Sequence, residues 1–322
     1  MPHTALSLLT WLTFLIAAVG LTARFVPVFD HTVLFISALS PYLLIFAGTP
    51  AVLLLLNTRS RWARVLALVL AAGAVVTVIP RFIGSARPAP GSVPVRVLTA
   101  NFWEGAANPD ELTAIARERA DIILVQELTT DCATGLRGLE SDFPYQAVDA
   151  RPGATGGGIW SRYPIHGARR DNRYRLGALV ANVQVPGAAS DTLVLSVHVV
   201  GPWPYPIHDW RADLAKLPDT LRAAADRAGP GSVIAAGDFN ATTDMLPFRR
   251  LLRNGYQNAS RQAGAGFAPT YPANRQVPPL IGIDHILTFN STATDVQTVR
   301  IPGSDHLGVV ATIHIPGRAP SE

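Results

Sequence analysis

The strongest constraint on this 322-residue chain is a division at about residue 84: the residues before it are almost wholly apolar, and those after it have the mixed composition of a soluble domain. Residues 6–25 carry no charge before Arg24 and are long enough to cross a hydrocarbon layer of about 30 Å as a helix. Residues 33–56 form a second apolar segment, interrupted by Pro41 and Pro50, and residues 65–79 a third, shorter and richer in alanine. Proline is tolerated in membrane helices where neighbours or local kinks satisfy the freed carbonyls, so about three transmembrane helices are expected over 1–84. A cleaved secretory signal fits residues 6–25 less well, because a charged leading region is missing and further apolar segments come after it. Arg59, Arg61 and Arg64 cluster between the second and third segments. The positive-inside rule assigns that loop to the cytoplasm. An odd number of crossings then makes a multi-pass protein of the cell membrane with its C-terminal domain extracytoplasmic, although Arg81 and Arg87 reduce the asymmetry.

Beyond the apolar region, residues 85–92 are rich in proline, glycine and alanine and read as an extended linker. A soluble domain occupies 93–316, with a short tail at 317–322. The formal net charge is +4, with Lys216 the only lysine. No run of basic residues marks a nucleic-acid surface. Cys132 is the only cysteine, which excludes an internal disulfide and any cysteine-based zinc cluster.

Within 93–316, short apolar runs at 93–100, 121–126, 176–185, 192–199, 232–236, 281–287 and 308–314 read as strands. Asn108, Pro109, Asp110 and Glu111 have the form of a helix start, and 209–227 has helical spacing in which Pro218 should kink or divide the helix. Gly156, Gly157 and Gly158 lack the lysine of a phosphate-binding loop and read as a flexible turn. Many strands with few helices imply an α/β (α+β) fold, a two-sheet β-sandwich flanked by helices. Polar residues stand at the ends of these runs: Asn101, Glu127, His198, Asp238 with Asn240, Asp284, and Asp305 with His306. Delivered to one rim, they make a site with oxygen donors for a hard divalent ion and histidines for proton transfer.

In order and spacing, Gln126-Glu127, Ser196-Val197-His198, Gly237-Asp238-Phe239-Asn240, Ile283-Asp284-His285 and Ser304-Asp305-His306 resemble the endonuclease/exonuclease/phosphatase superfamily of metal-dependent phosphohydrolases. The resemblance spans about 93–316. It implies that Glu127 is the principal metal ligand, with Asn101 and Asp305 beside the metal and Asn101 also facing substrate phosphate. It further implies that Asp238 and Asn240, on one side of an extended segment, orient the attacking water and a phosphoryl oxygen. His306 would transfer the proton with Asp284 fixing its tautomer, and a protonated His198 would stabilise phosphate charge. The implied cofactor is Mg2+, with Mn2+ or Ca2+ as alternatives. Phe239 and His285 are expected in the core, Arg162 in a structural role, and His166, His208 and His314 at the surface or in packing.

The overall layout is similar to that of actinobacterial membrane proteins linked to teicoplanin resistance. That similarity implies an envelope lipid or lipid-linked cell-wall precursor as substrate, with the bilayer as partner. An extracellular nuclease and an inactive membrane-anchored binding module are the competing readings. Topology is directly testable: a reporter fused after Pro90 is expected to register outside the cytoplasm and one fused at Ser60 inside it; the reverse pattern would place the C-terminal domain in the cytoplasm.

Overall fold

The computed structural model describes residues 2–318, so residues 319–322 of the expected tail lie outside the described residues. Five helices open the chain: α1 (Pro2–Ala23), α2 (His31–Ala38), α3 (Ser40–Phe46), α4 (Gly48–Leu56) and α5 (Arg61–Val78). Two stretches, Ala5–Ala23 and Arg61–Arg81, are long and apolar enough to cross a membrane. The second expected segment is broken: His31–Ala38 and Ser40–Leu56 meet at 55°, so a third crossing exists only if this bent pair is one span. The break has a local cause. Leu39 ends α2, and Pro41 occupies the first turn of α3, where its missing N–H leaves no hydrogen bond unmade. Helix α2 packs differently from the others, since Val28, Leu34 and Ala38 share a core cluster with Tyr174, Trp210 and Leu214 of the C-terminal domain.

That domain is a sandwich of two six-stranded sheets. Strands β1 (Val93–Asn101), β2 (Ile122–Gln126), β3 (Tyr145–Asp149) and β4 (Gly157–Ser161) join β11 (Thr292–Arg300) and β12 (Leu307–Ile315) in the order β11-β12-β1-β2-β4-β3. Strands β5 (Ile165–Asp171), β6 (Ala178–Val183), β7 (Thr192–His198), β8 (Val233–Asp238), β9 (Gln257–Asn258) and β10 (Asp284–Phe289) form the other in the order β5-β6-β7-β8-β10-β9. Val97, Ile122, Leu124 and Ile313 of the first sheet meet Ala181, Val194, Ile234 and Ile286 of the second in one cluster between them. Helices α6 (Pro109–Arg119) and α7 (Thr130–Gly135) cover the outer face of the first sheet through Leu112, Ala116 and Cys132. Helices α8 (Ile207–Ala228) and α9 (Leu246–Leu251) cover the second through Leu217, Leu221 and Phe248. Central strands are therefore buried on both faces, which is why β2 and β7 read as continuous apolar runs.

Registers align the strand ends. β1 and β2 run parallel with Asn101 opposite Gln126, and β7 and β8 run parallel with His198 opposite Asp238. β10 pairs antiparallel to β8 with Asp284 opposite Asp238. Beneath this rim, Thr99 Oγ1 donates to Gln126 Oε1 at 3.2 Å and Gln126 Nε2 to Ser196 Oγ at 3.0 Å, so buried hydrogen bonds tie the sheets together.

Four sequence expectations are corrected. Helix α8 runs unbroken through Pro218, because its apolar face is held on the core and outweighs one lost backbone hydrogen bond. The linker is anchored: Ser85 and Ala86 N–H both donate to the carbonyl of Gln262, in the short helix α10 (Ala259–Ala263). The 281–287 run becomes a strand only from Asp284. Gly156–Gly158 is no flexible turn, since β4 begins at Gly157 and a Cβ on Gly156 would lie 2.0 Å from the Leu128 carbonyl oxygen.

Gly237 is the sharpest steric requirement near the rim. Its φ is +145°, and a Cβ there would lie 1.9 Å from the Val197 carbonyl oxygen of the adjacent strand. Gly237→Ala is expected to cost at least about 2 kcal/mol, read as a lowered denaturation midpoint; an unchanged midpoint would contradict the β7–β8 packing described.

Candidate active site

The aligned strand ends bring together all eight residues singled out in the sequence. Glu127, the first residue past β2, has φ +58°, an uncommon conformation for a non-glycine residue. It turns the carboxylate toward β1, where Glu127 Oε1 accepts from Asn101 Nδ2 at 3.0 Å and Oε2 from the Glu104 backbone N–H at 2.7 Å. Trp103, Glu104 and Asn240 also have positive φ, so unfavourable backbone conformations gather where side chains are aimed at one point.

Asn101 bridges the two sheets. Its Nδ2 also donates to Asp238 Oδ2 at 3.1 Å, while its Oδ1 accepts from the Trp103 N–H at 2.9 Å. In this arrangement Asn101 donates to two carboxylates while its Oδ1 accepts one backbone N–H. Asp238 Oδ1 accepts the Asn240 N–H at 2.7 Å, and Asn240 Nδ2 donates to Val199 O at 2.9 Å and Asp238 Oδ2 at 3.1 Å. The two residues do face one site, but through a tight turn rather than the extended segment expected.

His306 Nδ1 lies 2.8 Å from Asp284 Oδ2, the pairing the resemblance implied. Its Nε2 faces Asp305 Oδ1 at 3.8 Å and Asp238 Oδ2 at 3.9 Å. Burial alone would lower the pKa of His306, but Asp284, Asp238 and Asp305 together push it up to about 10, which favours the protonated ring. Burial and the repulsion of Asp284 push Asp238 well above the carboxylate range, against the pull of His306. Burial also raises Asp305. His198 bonds the Ala154 carbonyl through Nδ1 at 3.1 Å, and its Nε2 stands 3.5 Å from Glu127 Oε1. Burial lowers the His198 pKa although Glu127 draws it up, which favours the neutral ring over the protonated one expected from sequence.

A divalent cation fits this donor set. Glu127, Asp238, Asp284 and Asp305 converge with one imidazolium among them, and Asp284 Oδ1 and Asp305 Oδ1 are buried with no hydrogen-bond partner among the described residues. Asp238, Asp284 and His306 offer ligand atoms within 4.8 Å of one another. His306 Nδ1 and Asp284 Oδ2 are bonded to each other, so the open carboxylate donors include Asp284 Oδ1 and Asp305 Oδ1, which suit a hard ion.

Several contributors are not visible in the sequence. Thr270 Oγ1 accepts the backbone N–H groups of Ile283 and Asp284 at 3.1 and 3.3 Å, fixing the start of β10. Tyr271 packs on His306 with ring centroids 5.0 Å apart. Ser304 Oγ donates to Asn101 O at 2.7 Å and accepts from the His306 N–H at 3.0 Å, coupling the segment before β12 to β1. Thr270 and Tyr271 lie in a proline-rich loop with no periodicity, so no pattern points to them. Other assignments hold: His285 is buried between Ala241 O and Asn258, Phe239 is core, and Arg162 braces Ala120, Arg117 and Asp142 carbonyls. His208 is exposed and His166 pairs with Asp191 at the surface.

A family model described as the Endonuclease/Exonuclease/phosphatase family matches residues 98–306, which include every residue of the site. Similar solved structures include an endonuclease/exonuclease/phosphatase from Beutenbergia cavernae DSM 12333, 19% identical with a TM-score of 0.54, covering 71% of this chain and 73% of that one. The 3' phosphatase NExo from Neisseria, bound to a product DNA hairpin, is 19% identical with a TM-score of 0.53, covering 67% of this chain and 98% of that one. Sphingomyelinase C from Streptomyces griseocarneus is 18% identical with a TM-score of 0.53, covering 69% and 99%. At these identities the likeness shows the fold. No curated protein matches the chain.

If His306 and Asp284 act as one unit, His306→Ala should lower kcat on a generic phosphodiester by about 10²–10⁴-fold. Asp284→Asn should lower it less, and the double variant should be no slower than His306→Ala; additive losses would show two independent groups.

Proposed function

The chain belongs to the endonuclease/exonuclease/phosphatase family, a family of hydrolases acting on phosphoric ester bonds, and from that premise we propose that it is a membrane-anchored, Mg2+-dependent phosphoesterase whose substrate is an envelope lipid or a lipid-linked cell-wall precursor. Glu127 and Asp305 would hold the ion, which when bound supplies positive charge to the phosphoryl oxygens. Asp238, fixed by Asn101 and Asn240, orients a water for in-line attack on phosphorus. The side-chain amides of Asn101 and Asn240 hold the carboxylates, and each would reach a phosphoryl oxygen by exchanging one of those bonds when substrate binds. His306, its Nδ1 held by Asp284, carries a proton on Nε2 for transfer, and His198, neutral before substrate arrives, lines the opposite wall.

The single observation that carries the lipid reading is the rim of the site. Trp103, Trp203, Val277 and Leu280 are exposed large apolar side chains, on loops that adjoin Asn101, His198 and Tyr271. Two of these loops are bound by the N-terminal helices: His31 Nε2 lies 3.0 Å from Pro202 O, and Tyr42 Oη donates to Leu280 O at 2.5 Å. An apolar mouth held against α2 and α3, within the bent pair that lies between the two helices able to cross a bilayer, suits a substrate presented from that bilayer. Orientation has support of its own. Arg24 and Arg81, on the side of the catalytic domain, both pair with Asp244, whereas Arg59, Arg61 and Arg64 at the far end are exposed. Asp244 offsets one of these near-side charges, and the exposed far-end cluster agrees with the cytoplasmic assignment of that loop. A lipid-linked wall precursor, the substrate class that the resemblance in sequence layout implies, is the first substrate to assay.

The full chain reconstituted in vesicles is to be assayed on vesicle lipids, polyprenyl pyrophosphate, DNA and a soluble phosphodiester. Lipid turnover should vanish with chelator, return with Mg2+ and be nearly abolished in Glu127→Gln. Trp203→Ser should reduce turnover of vesicle lipid several-fold while sparing the soluble substrate. Efficient DNA cleavage without lipid turnover would replace the lipid reading with the nuclease one, and activity persisting in chelator would overturn the metal mechanism.

A further inference from the structure

A second charged cavity lies behind the catalytic one, where the N-terminal helices meet the sandwich. Its volume is about 100 Å3, and Arg24, Arg81, Arg249, Arg261, Asp244 and Tyr42 line it. A single buried water needs only about 10–15 Å3 by a comparable measure, so several heavy atoms have room. Asp244 is the only acid among the lining residues, leaving four guanidinium groups against one carboxylate.

The local hydrogen bonds do not remove that excess. Arg24 and Arg81 both engage Asp244 Oδ1, and Arg81 Nη1 also donates to Thr243 Oγ1 at 3.0 Å. Arg249 spends its donors on the backbone carbonyls of Asp244 and Arg24, which are neutral. The Arg24 side chain is 8% exposed, and its Nε is buried with no partner among the described residues. Arg261 lines the cavity while remaining exposed. Buried charge without a counter-charge is strongly unfavourable, and the planar donor fork of arginine matches phosphate oxygens.

From this geometry we propose that the cavity is a binding site for a phosphoryl anion, separate from the catalytic site and bound by Arg24, Arg81, Arg249 and Arg261. Its position selects between sources. Arg24 comes directly after one candidate span, Arg81 ends the other, and Tyr42 stands in the first turn of α3, just past the bend at Leu39, so the cavity sits at headgroup depth and an anionic phospholipid is the expected ligand. That choice of source rests on the membrane reading above, whereas the anion site rests on the charges alone. Occupancy would brace two segments at once, because Thr243-Asp244 come shortly after Asn240 and Gly282 precedes Asp284.

The test uses the full chain in phosphatidylcholine nanodiscs, with and without phosphatidylglycerol, and separately with inorganic phosphate, reading Tm by tryptophan fluorescence and retained lipid by native mass spectrometry. Phosphatidylglycerol should raise Tm by several degrees and remain bound. Arg261→Gln, whose side chain is exposed and whose folding is not at risk, should weaken that binding by about tenfold, and Arg249→Gln,Arg261→Gln should abolish the shift. Stabilisation by inorganic phosphate equal to that by the lipid would keep the anion site and assign it to a free anion. If neither anion raises Tm, or if the double variant responds like the wild type, the arginines only clamp the two parts of the chain and the proposal fails. Neither outcome depends on catalytic activity, so failure here is distinguishable from failure of the lipid-hydrolase reading.

Discussion

Bringing four carboxylates to one buried rim is the most unfavourable arrangement in this chain, because like charges removed from water repel strongly. Much of the surrounding structure offsets it. Amide donors from Asn101, Asn240 and the Glu104 backbone reach the carboxylates of Glu127 and Asp238. The imidazolium of His306 lies against Asp284, Asp238 and Asp305. The strand registers make this compensation possible, since parallel pairing of β1 with β2 and of β7 with β8 puts Asn101 beside Glu127 and His198 beside Asp238. The buried oxygens of Asp284 and Asp305 that these groups leave unsatisfied are donors of the kind that suit a hard cation.

Much of this is legible in the amino-acid order. Strands buried on both faces announce themselves as apolar runs, and several of them here are bounded by a polar residue; that is why Asn101, Glu127, His198, Asp238 and Asp284 stand out from the sequence alone. Strand β11 escapes such a reading because its edge position exposes alternate polar residues, and β3 for a similar reason. The local geometry of Asn240 and the donor role of Asn101 depend on backbone turns that no periodicity encodes. The apolar segments are legible by length and composition, and Pro41 marks the interruption near which α2 and α3 bend, but the size of the bend is set by tertiary packing that draws α2 toward the sandwich.

The electrostatic contrast between the two charged regions is consistent with their chemistry. At the rim, carboxylates outnumber cations; about the second cavity, arginines outnumber carboxylates. β8 and β10 separate the two, with Asp238 and Asp284 turned to one side and His285, packed on Phe248 with ring centroids 4.3 Å apart, turned to the other. Alternation along a strand is enough to keep opposite fields on opposite faces of one sheet.

Helix α2 has a consequence for inheritance. Because Val28, Leu34 and Ala38 complete the same apolar cluster as Trp210 and Leu214, the leading segment is part of the catalytic body as well as its tether. Each such side chain contributes about 1.5–3 kcal/mol by leaving water, a loss that an unrelated tether could not replace. Residues of α1 and α5 outside this cluster are therefore freer to change than those of α2, and a recombinant that joined the sandwich to a foreign leader would lose these contacts. The two halves should be passed on together, as one evolutionary unit.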